Sequence, residues 1–402
     1  MISDDIRNLQ KELPWLKLTI FTITVFFVGV AEFMLSSMLP PLANAFGTTV
    51  DKAALLISGY AFSYAISAPI IGYFSKKINR IKLLLISILL YSIDNSMIIF
   101  APTLEWAIAL RVFGGISSAI IIPVVFSLVS DLVASNRQAG AMGFVLVGMT
   151  SGIAFGPAVA GFLNDQIEWW APFAFCSSGS LAIFFIATFI LKREYHHFNK
   201  HDQSANNRSG MSAIPHFPLL KIIFAKGAWN GTGVATFIIA GEVLHIRYGF
   251  SPTSTGMIVS LFGIGLGTGN ITVGIVNRYL VKEEITVLVM ALITLLSVYL
   301  LIMAPLPLWG YFLGLIFLGY SLGSGAPVST VLILKKTNQN NKTLSLSLAE
   351  TMNNVFIFIF IPLSISLLTA DNNLTSFLIL SMGALLGIAI FIKNLLLPED
   401  NT

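Results

Sequence analysis

Glu32 stands in an apolar run, with Ile20 to Val30 before it and Met34 to Leu39 after it. A carboxylate inside a membrane span is costly, and one that stays there serves an ion or substrate pathway or is held in an ion pair. Asp94 and Arg111 share this setting. Taking prolines as marks of the outer helix ends, Glu32 lies eight residues before Pro40, Asp94 eight before Pro102 and Arg111 nine after Pro102. At 1.5 Å per residue each group then sits roughly 12 Å in. In a hydrocarbon core of about 30 Å the three form one layer near the midplane, where charges persist only when paired or facing water. The spacing predicts that Arg111 balances Glu32, Asp94 or both. A carboxyl group that alternates between a desolvated setting and one beside a guanidinium gains and loses a proton. Proton coupling is therefore one reading of the cluster, and a fixed structural ion pair is the other.

The second half of the chain carries fewer acids. Glu242 lies near the outer end of an apolar run, with His245 and Arg247 beyond it, and either faces a cavity or snorkels outward. Glu350, Asn353 and Asn354 share one helix face by their spacing of three and four. Lys226, Trp229 and Asn230 form a third polar group near the start of the run that holds Glu242. These seven residues are the substrate-cavity candidates, although Glu350 has an alternative role as partner of Lys342 or Lys226. A cationic substrate would use Glu32 and Glu350 as anchors, whereas an anionic or sugar-like one would use Lys226 and the amides.

The elements that must position these groups follow from composition. Of 402 residues, 55% are hydrophobic and 10% charged, and the mean hydropathy is +0.84. Soluble domains carry roughly a quarter charged residues, so this chain lies in lipid. Apolar runs predict spans at about 17 to 38, 52 to 74, 82 to 101, 105 to 131, 139 to 163 and 171 to 191. A second set falls at about 222 to 246, 253 to 277, 285 to 304, 308 to 334, 343 to 368 and 374 to 393. The expected organisation is an N-terminal six-helix bundle over 1–191, a polar linker over 192–220 and a C-terminal six-helix bundle over 221–402. The first run lacks a small-residue cleavage pattern and is expected to be retained as a span.

Basic residues set the expected orientation. Arg7, Lys11, Lys76, Lys77, Arg80, Lys82, Arg137, Lys282, Lys335, Lys336, Lys342 and Lys393 share a side with the linker, which the positive-inside rule makes cytoplasmic. Both termini are then expected inside. The basic balance is a topology signal, and no nucleic-acid partner is expected. The linker histidines His196, His197 and His201 read as solvated rather than as metal ligands, and no metal or cofactor is expected. Cys176 is the only cysteine, so no intrachain disulfide is possible.

Several segments resemble the major facilitator superfamily, in its branch of drug:proton antiporters and sugar-efflux permeases. GYFSKKINRIKLL, from Gly72 to Leu84, is similar to that family's loop motif between the second and third spans. Gly72 and Arg80 fit and Lys77 keeps the basic character, but Lys76 stands where the motif has Asp. The resemblance implies a latch between the two halves, and with Lys76 in that place the latch would need another acid; Asp131 is a candidate partner for Arg80 or Lys77. RVFGGISSA, from Arg111, is similar to the fourth-span motif whose arginine is associated with proton coupling. GIAFGPAVAG, with Gly152, Gly156, Pro157 and Gly161, resembles the fifth-span antiporter signature. Its small residues at spacing four offer a smooth face for close helix contact, and Pro157 permits a bend. AEFMLSSMLPPLANAF, from Ala31, looks like the first-span signature of the efflux branch. In this family the third span lies outside the cavity, which favours the structural reading of Asp94.

The resemblance covers nearly the whole chain. It implies an all-α membrane protein of about twelve transmembrane helices in two pseudo-symmetric six-helix bundles. It also implies a monomer in a bacterial inner (cell) membrane that exchanges protons for a small molecule by alternating access. A proton-coupled importer or a uniporter is the rival within transporters, and a non-transporting receptor or an intramembrane enzyme is the rival outside them. No nucleophile and base come together as an enzyme would need. FGIGLGTGN, from Phe262, lies inside an apolar span without the Lys-Ser/Thr of a phosphate loop, so it reads as helix packing and no ATP site is expected. Drug, sugar and metabolite all remain open as substrates.

Overall fold

The computed structural model describes residues 14–74, 79–134, 137–191, 217–280, 282–337 and 342–396. Among them are 12 helices long and apolar enough to cross a membrane. The first six are Trp15–Ser37, Val50–Ile71, Arg80–Ile98, Leu104–Leu132, Gly140–Gln166 and Ala171–Leu191. The second six are Phe217–Tyr248, Pro252–Leu280, Glu283–Ile302, Leu308–Lys335, Leu344–Thr369 and Asn373–Lys393. These are spans 1 to 12 below, and their ends differ from the hydropathy reading by a few residues. Span 7 starts at Phe217, inside the expected linker, because Pro218 falls in the first turn, where a missing N–H costs no helical hydrogen bond. The rest of the expected linker, 192–216, lies outside the described residues, as do Lys76 and Lys77.

Span 1 is broken where the sequence suggested a simple end. Its α-helix stops at Phe33, a 3-10 turn follows over Met34–Ser37, and a short helix over Leu39–Ala45 begins with Pro40 and Pro41. Proline has no N–H to give to the carbonyl four residues back. The Ser36 carbonyl is thereby released from the helix, and it packs against Gly241 of span 7, where an added Cβ would lie 1.6 Å from that oxygen.

Helix packing repeats with an offset of six spans. Span 1 packs on 5, 2 on 4, 3 on 4 and 3 on 6; correspondingly 7 packs on 11, 8 on 10, 9 on 10 and 9 on 12. Two large contacts between the halves, span 2 on 11 and span 5 on 8, exchange under the same offset. Two charge pairs repeat the relation near the ends of the spans that border the linker. Arg80 at the start of span 3 pairs with Asp131 at the end of span 4, and Glu283 at the start of span 9 pairs with Lys335 at the end of span 10. Each pair fastens neighbours within one half. Such parallel repeats, related about an axis along the membrane normal, place a shared site at mid-depth between them.

Small residues make the close approaches. A Cβ at Gly152 would lie 2.3 Å from the Phe26 carbonyl oxygen, and one at Gly156 3.2 Å from the Val30 backbone. Gly152 and Gly156 therefore seat span 5 on the face of span 1 that carries Phe26, Gly29 and Val30. Gly263, Gly265 and Gly269 of the Phe262 segment pack on spans 5 and 10, the helix-packing role expected of them. Gly72 lies within the helix Leu55–Phe74.

Candidate functional site

At mid-depth the halves enclose a small space between spans 1, 2, 4, 7 and 11. Glu32, Tyr60 and Arg111 line it from the first half, and Val234, Ile238, Asn354 and Ile357 from the second. Its volume of about 10 Å³ admits about one water molecule. The sequence placed Glu32 and Arg111 in one layer, and the fold brings both to this space.

Their relation is not the expected ion pair. Among the described residues, neither Glu32 nor Asp94 lies within ion-pair distance of Arg111. Arg111 is 1% exposed, and its Nη2 donates to the Ala31 carbonyl oxygen at 3.2 Å, where the chain approaches the break in span 1. Its guanidinium carbon lies 4.6 Å from the centre of the Tyr60 ring, a cation–π contact in a dry wall. The arginine is thus held by backbone and ring next to Glu32, leaving the half-buried carboxylate free to face the cavity. Arg111 and Glu350 are the charged groups that act electrostatically on Glu32.

Asp94 is placed differently. It is buried against Gly114 of span 4, where a Cβ would lie 2.2 Å from Oδ2, and neither of its oxygens has a hydrogen-bond partner in the described structure. It does not line the space with Glu32, because span 3 packs on the far side of span 4, between spans 4 and 6. Equal depth along a helix, which the proline spacing gives, does not fix the direction in which a side chain points.

The second wall comes from spans 7, 10 and 11. Lys226 Nζ donates to Thr330 Oγ1 at 3.0 Å and lies 3.5 Å from Glu350 Oε1. Asn230 Nδ2, one turn along span 7, donates to Asn353 Oδ1 at 3.0 Å. Asn354 uses its Nδ2 on the Glu350 carbonyl oxygen of its own helix and borders the Glu32 space. Side-chain exposure separates the pair: Lys226 is 5% exposed, Glu350 46%. Tyr64 of span 2 lies within electrostatic reach of both Glu32 and Glu350.

Two other cavity candidates are core residues. Trp229 is fully buried, its Nε1 donates to Thr294 Oγ1 at 2.9 Å, its ring fills the space over Gly325, and its Cβ lies against Gly387. Spacing put it beside Lys226, but the helix turn between them sends it toward spans 9, 10 and 12. Glu242 is 2% exposed with Oε2 unpartnered, so it neither snorkels outward nor lines the space around Glu32.

The end of the molecule away from the linker is closed. The Ser36 carbonyl meets Gly241, Pro252 packs on Gly161, and the Pro157 carbonyl packs on Gly256. Phe33 and Phe237 cross the divide with ring centres 5.6 Å apart, and Phe262 stacks behind Phe237 at 4.2 Å. On the other flank, Thr351 donates to the Ala65 carbonyl oxygen at 2.9 Å, joining spans 11 and 2. The parts of Tyr60, Tyr64 and Thr330 were not read from sequence, since a tyrosine or threonine in an apolar run carries no signal of its own. The Glu283 and Lys335 pair had one signal, its place in the six-span repeat opposite Arg80 and Asp131.

Comparison with known proteins agrees with this architecture. Residues 21–246 match the Major Facilitator Superfamily. The chain is 24% identical over 280 residues to an uncharacterized MFS-type transporter, YwfA, of Bacillus subtilis (strain 168), covering 69% of this chain and 67% of that protein. It is 24% identical over 252 residues to the quinolone resistance protein NorA of Staphylococcus aureus (strain MRSA252), covering 61% and 62%. It is 23% identical over 250 residues to multidrug resistance protein 2 of Bacillus subtilis (strain 168), covering 60% and 61%. The matches thus span about two thirds or less of the length of these relatives. With more than half of the sequence matched and twelve spans packed as a six-span repeat about one polar space, this integral membrane protein belongs to the Major Facilitator Superfamily of transporters.

Proposed function

We propose that the protein is a proton-driven exporter of small organic cations, working by alternating access with its linker side in the cytoplasm of a bacterial inner membrane. The observation that carries this reading is an asymmetry of exposure among four charges. Arg111 and Lys226 are sealed in their walls at 1% and 4% exposure, whereas Glu32 is only half-buried and Glu350 is 46% exposed at its side chain. The more exposed charge of each half is therefore an acid, although Arg111 borders the same space as Glu32 and the four charges together balance. A cation that bridges Glu32 and Glu350 would hold spans 1 and 11 together, and a proton that replaced it at Glu32 would let it leave. Relatives named for quinolone and multidrug resistance support export and a drug-like substrate. In the arrangement described, the space fits about one water, so a substrate enters only when the halves part.

The test is substrate-induced proton movement in proteoliposomes, comparing the native protein with Glu32→Gln on cationic, neutral and sugar-like compounds. Proton flux driven by cations and lost in Glu32→Gln, with binding retained, is the expected result. Normal exchange in Glu32→Gln transfers the coupling role to another acid, and flux driven only by neutral or anionic compounds rejects the cation reading.

A further inference from the structure

Spans 5 and 8 close on each other through residues too small to hold them apart. A Cβ at Gly161 would lie 2.1 Å from the Pro252 carbonyl oxygen, and one at Gly256 2.1 Å from that of Pro157. Contact of this kind is held largely by dispersion, with Asn270 Nδ2 donating to Thr150 Oγ1 at 3.5 Å farther along the same two spans. The start of span 8 supplies a fixing point. Pro252 occupies the first helical position and has no N–H; the Ser251 hydroxyl caps the helix by accepting from Ser254 N at 3.3 Å. The remaining N–H of the first turn, that of Thr253, is satisfied from the other half of the molecule: Asp165 Oδ2 accepts it at 2.9 Å. Thr253 Oγ1 donates in turn to the Gly161 carbonyl oxygen at 3.2 Å, and Asn164 Nδ2 steadies Asp165 Oδ1 at 2.9 Å.

We propose that Asp165 is the latch of the end away from the linker, capping span 8 across the divide and so biasing the transporter toward the state closed at that end. A carboxylate suits this place because the first turn of a helix carries unsatisfied N–H groups and the positive end of its dipole. Opening this end separates span 5 from span 8, so the Thr253 N–H must exchange Asp165 for water in every cycle. The two residues lie 88 positions apart, on either side of the linker, which makes the contact one between halves. The proposal does not depend on proton coupling or on the direction of transport.

The test uses the purified full-length chain in detergent, where both faces are accessible. Ser36→Cys places a thiol of nearly the same size in the sealed seam, against a background of one native thiol, Cys176, which is fully buried. The reaction rate of that thiol with a maleimide reads how often the seam opens. Asp165→Ala is expected to raise the rate about fivefold, equivalent to about 1 kcal/mol. Asp165→Asn, which keeps an acceptor oxygen but not the charge, is expected to raise it about twofold, and it supplies the comparison if Asp165→Ala cannot be purified. An unchanged Ser36→Cys rate in these variants overturns the proposal. So does a parallel rise in Cys176 labelling, which would mean that the whole fold has loosened.

Discussion

Lys226 and Glu350 form an ion pair between spans 7 and 11 at 3.5 Å in which the lysine is buried while almost half of the Glu350 side chain is exposed. The pair is unequal in energy. Removing the acid strands a buried ammonium group with only Thr330 beside it, whereas removing the base leaves a carboxylate that water can reach.

Glu350→Gln is therefore expected to destabilise the protein by about 1–3 kcal/mol, and Lys226→Met by less than about 1 kcal/mol. Thermal unfolding of the two variants in detergent measures the order. A larger loss for Lys226→Met would mean that the lysine is not the costly partner.

Arg111 is held by a shape that only a guanidinium has, one nitrogen on the Ala31 carbonyl and its plane over Tyr60. Lysine keeps the charge but cannot reach that carbonyl with a flat group laid over the ring. Arg111→Lys is expected to lower substrate-driven proton flux at least about tenfold with the fold retained, while Tyr60→Phe, which keeps the ring, stays near native. Flux assays on both variants, with circular dichroism as the check on folding, decide this.

Gly152 and Gly140 differ only in what surrounds them. A methyl group at Gly152 meets the Phe26 carbonyl oxygen at 2.3 Å, whereas at Gly140 nothing lies within 4 Å. Gly152→Ala is expected to cost about 1–3 kcal/mol by forcing span 5 off span 1. Gly140→Ala is expected to be neutral or to stabilise by up to about 1 kcal/mol, since it restricts the unfolded chain. Unfolding midpoints of the purified variants check both values, and equal effects would contradict the packing described.

Trp229 is expected to matter for stability and not for substrate choice. Trp229→Phe loses the hydrogen bond to Thr294 and part of the filling over Gly325, a loss of about 1–3 kcal/mol. Transport KM across a panel of compounds should stay unchanged. A selective change in KM would return Trp229 to the cavity.

The sequence alone determined the medium, the number of spans and the residues that carry charge into the bilayer. Each of these is written locally: about 20 apolar residues cross a membrane whatever their neighbours do, and a buried charge stands out against them. The fifth-span glycines were legible for the same reason, since small residues at spacing four lie on one helix face. Only the tertiary structure decided which charges meet. Glu32, Asp94 and Arg111 have equal depth, yet Asp94 turns toward Gly114 and Arg111 takes the Ala31 carbonyl, because facing direction is set by which helices pack against which. Glu350 had both Lys226 and Lys342 as candidate partners, and the packing of span 7 on span 11 brings Lys226 to 3.5 Å from it. Asp165 was an ordinary loop acid in the sequence. It became the cap of Thr253 only because the fold brings the far ends of spans 5 and 8 together, and no local pattern spans the 88 residues between them.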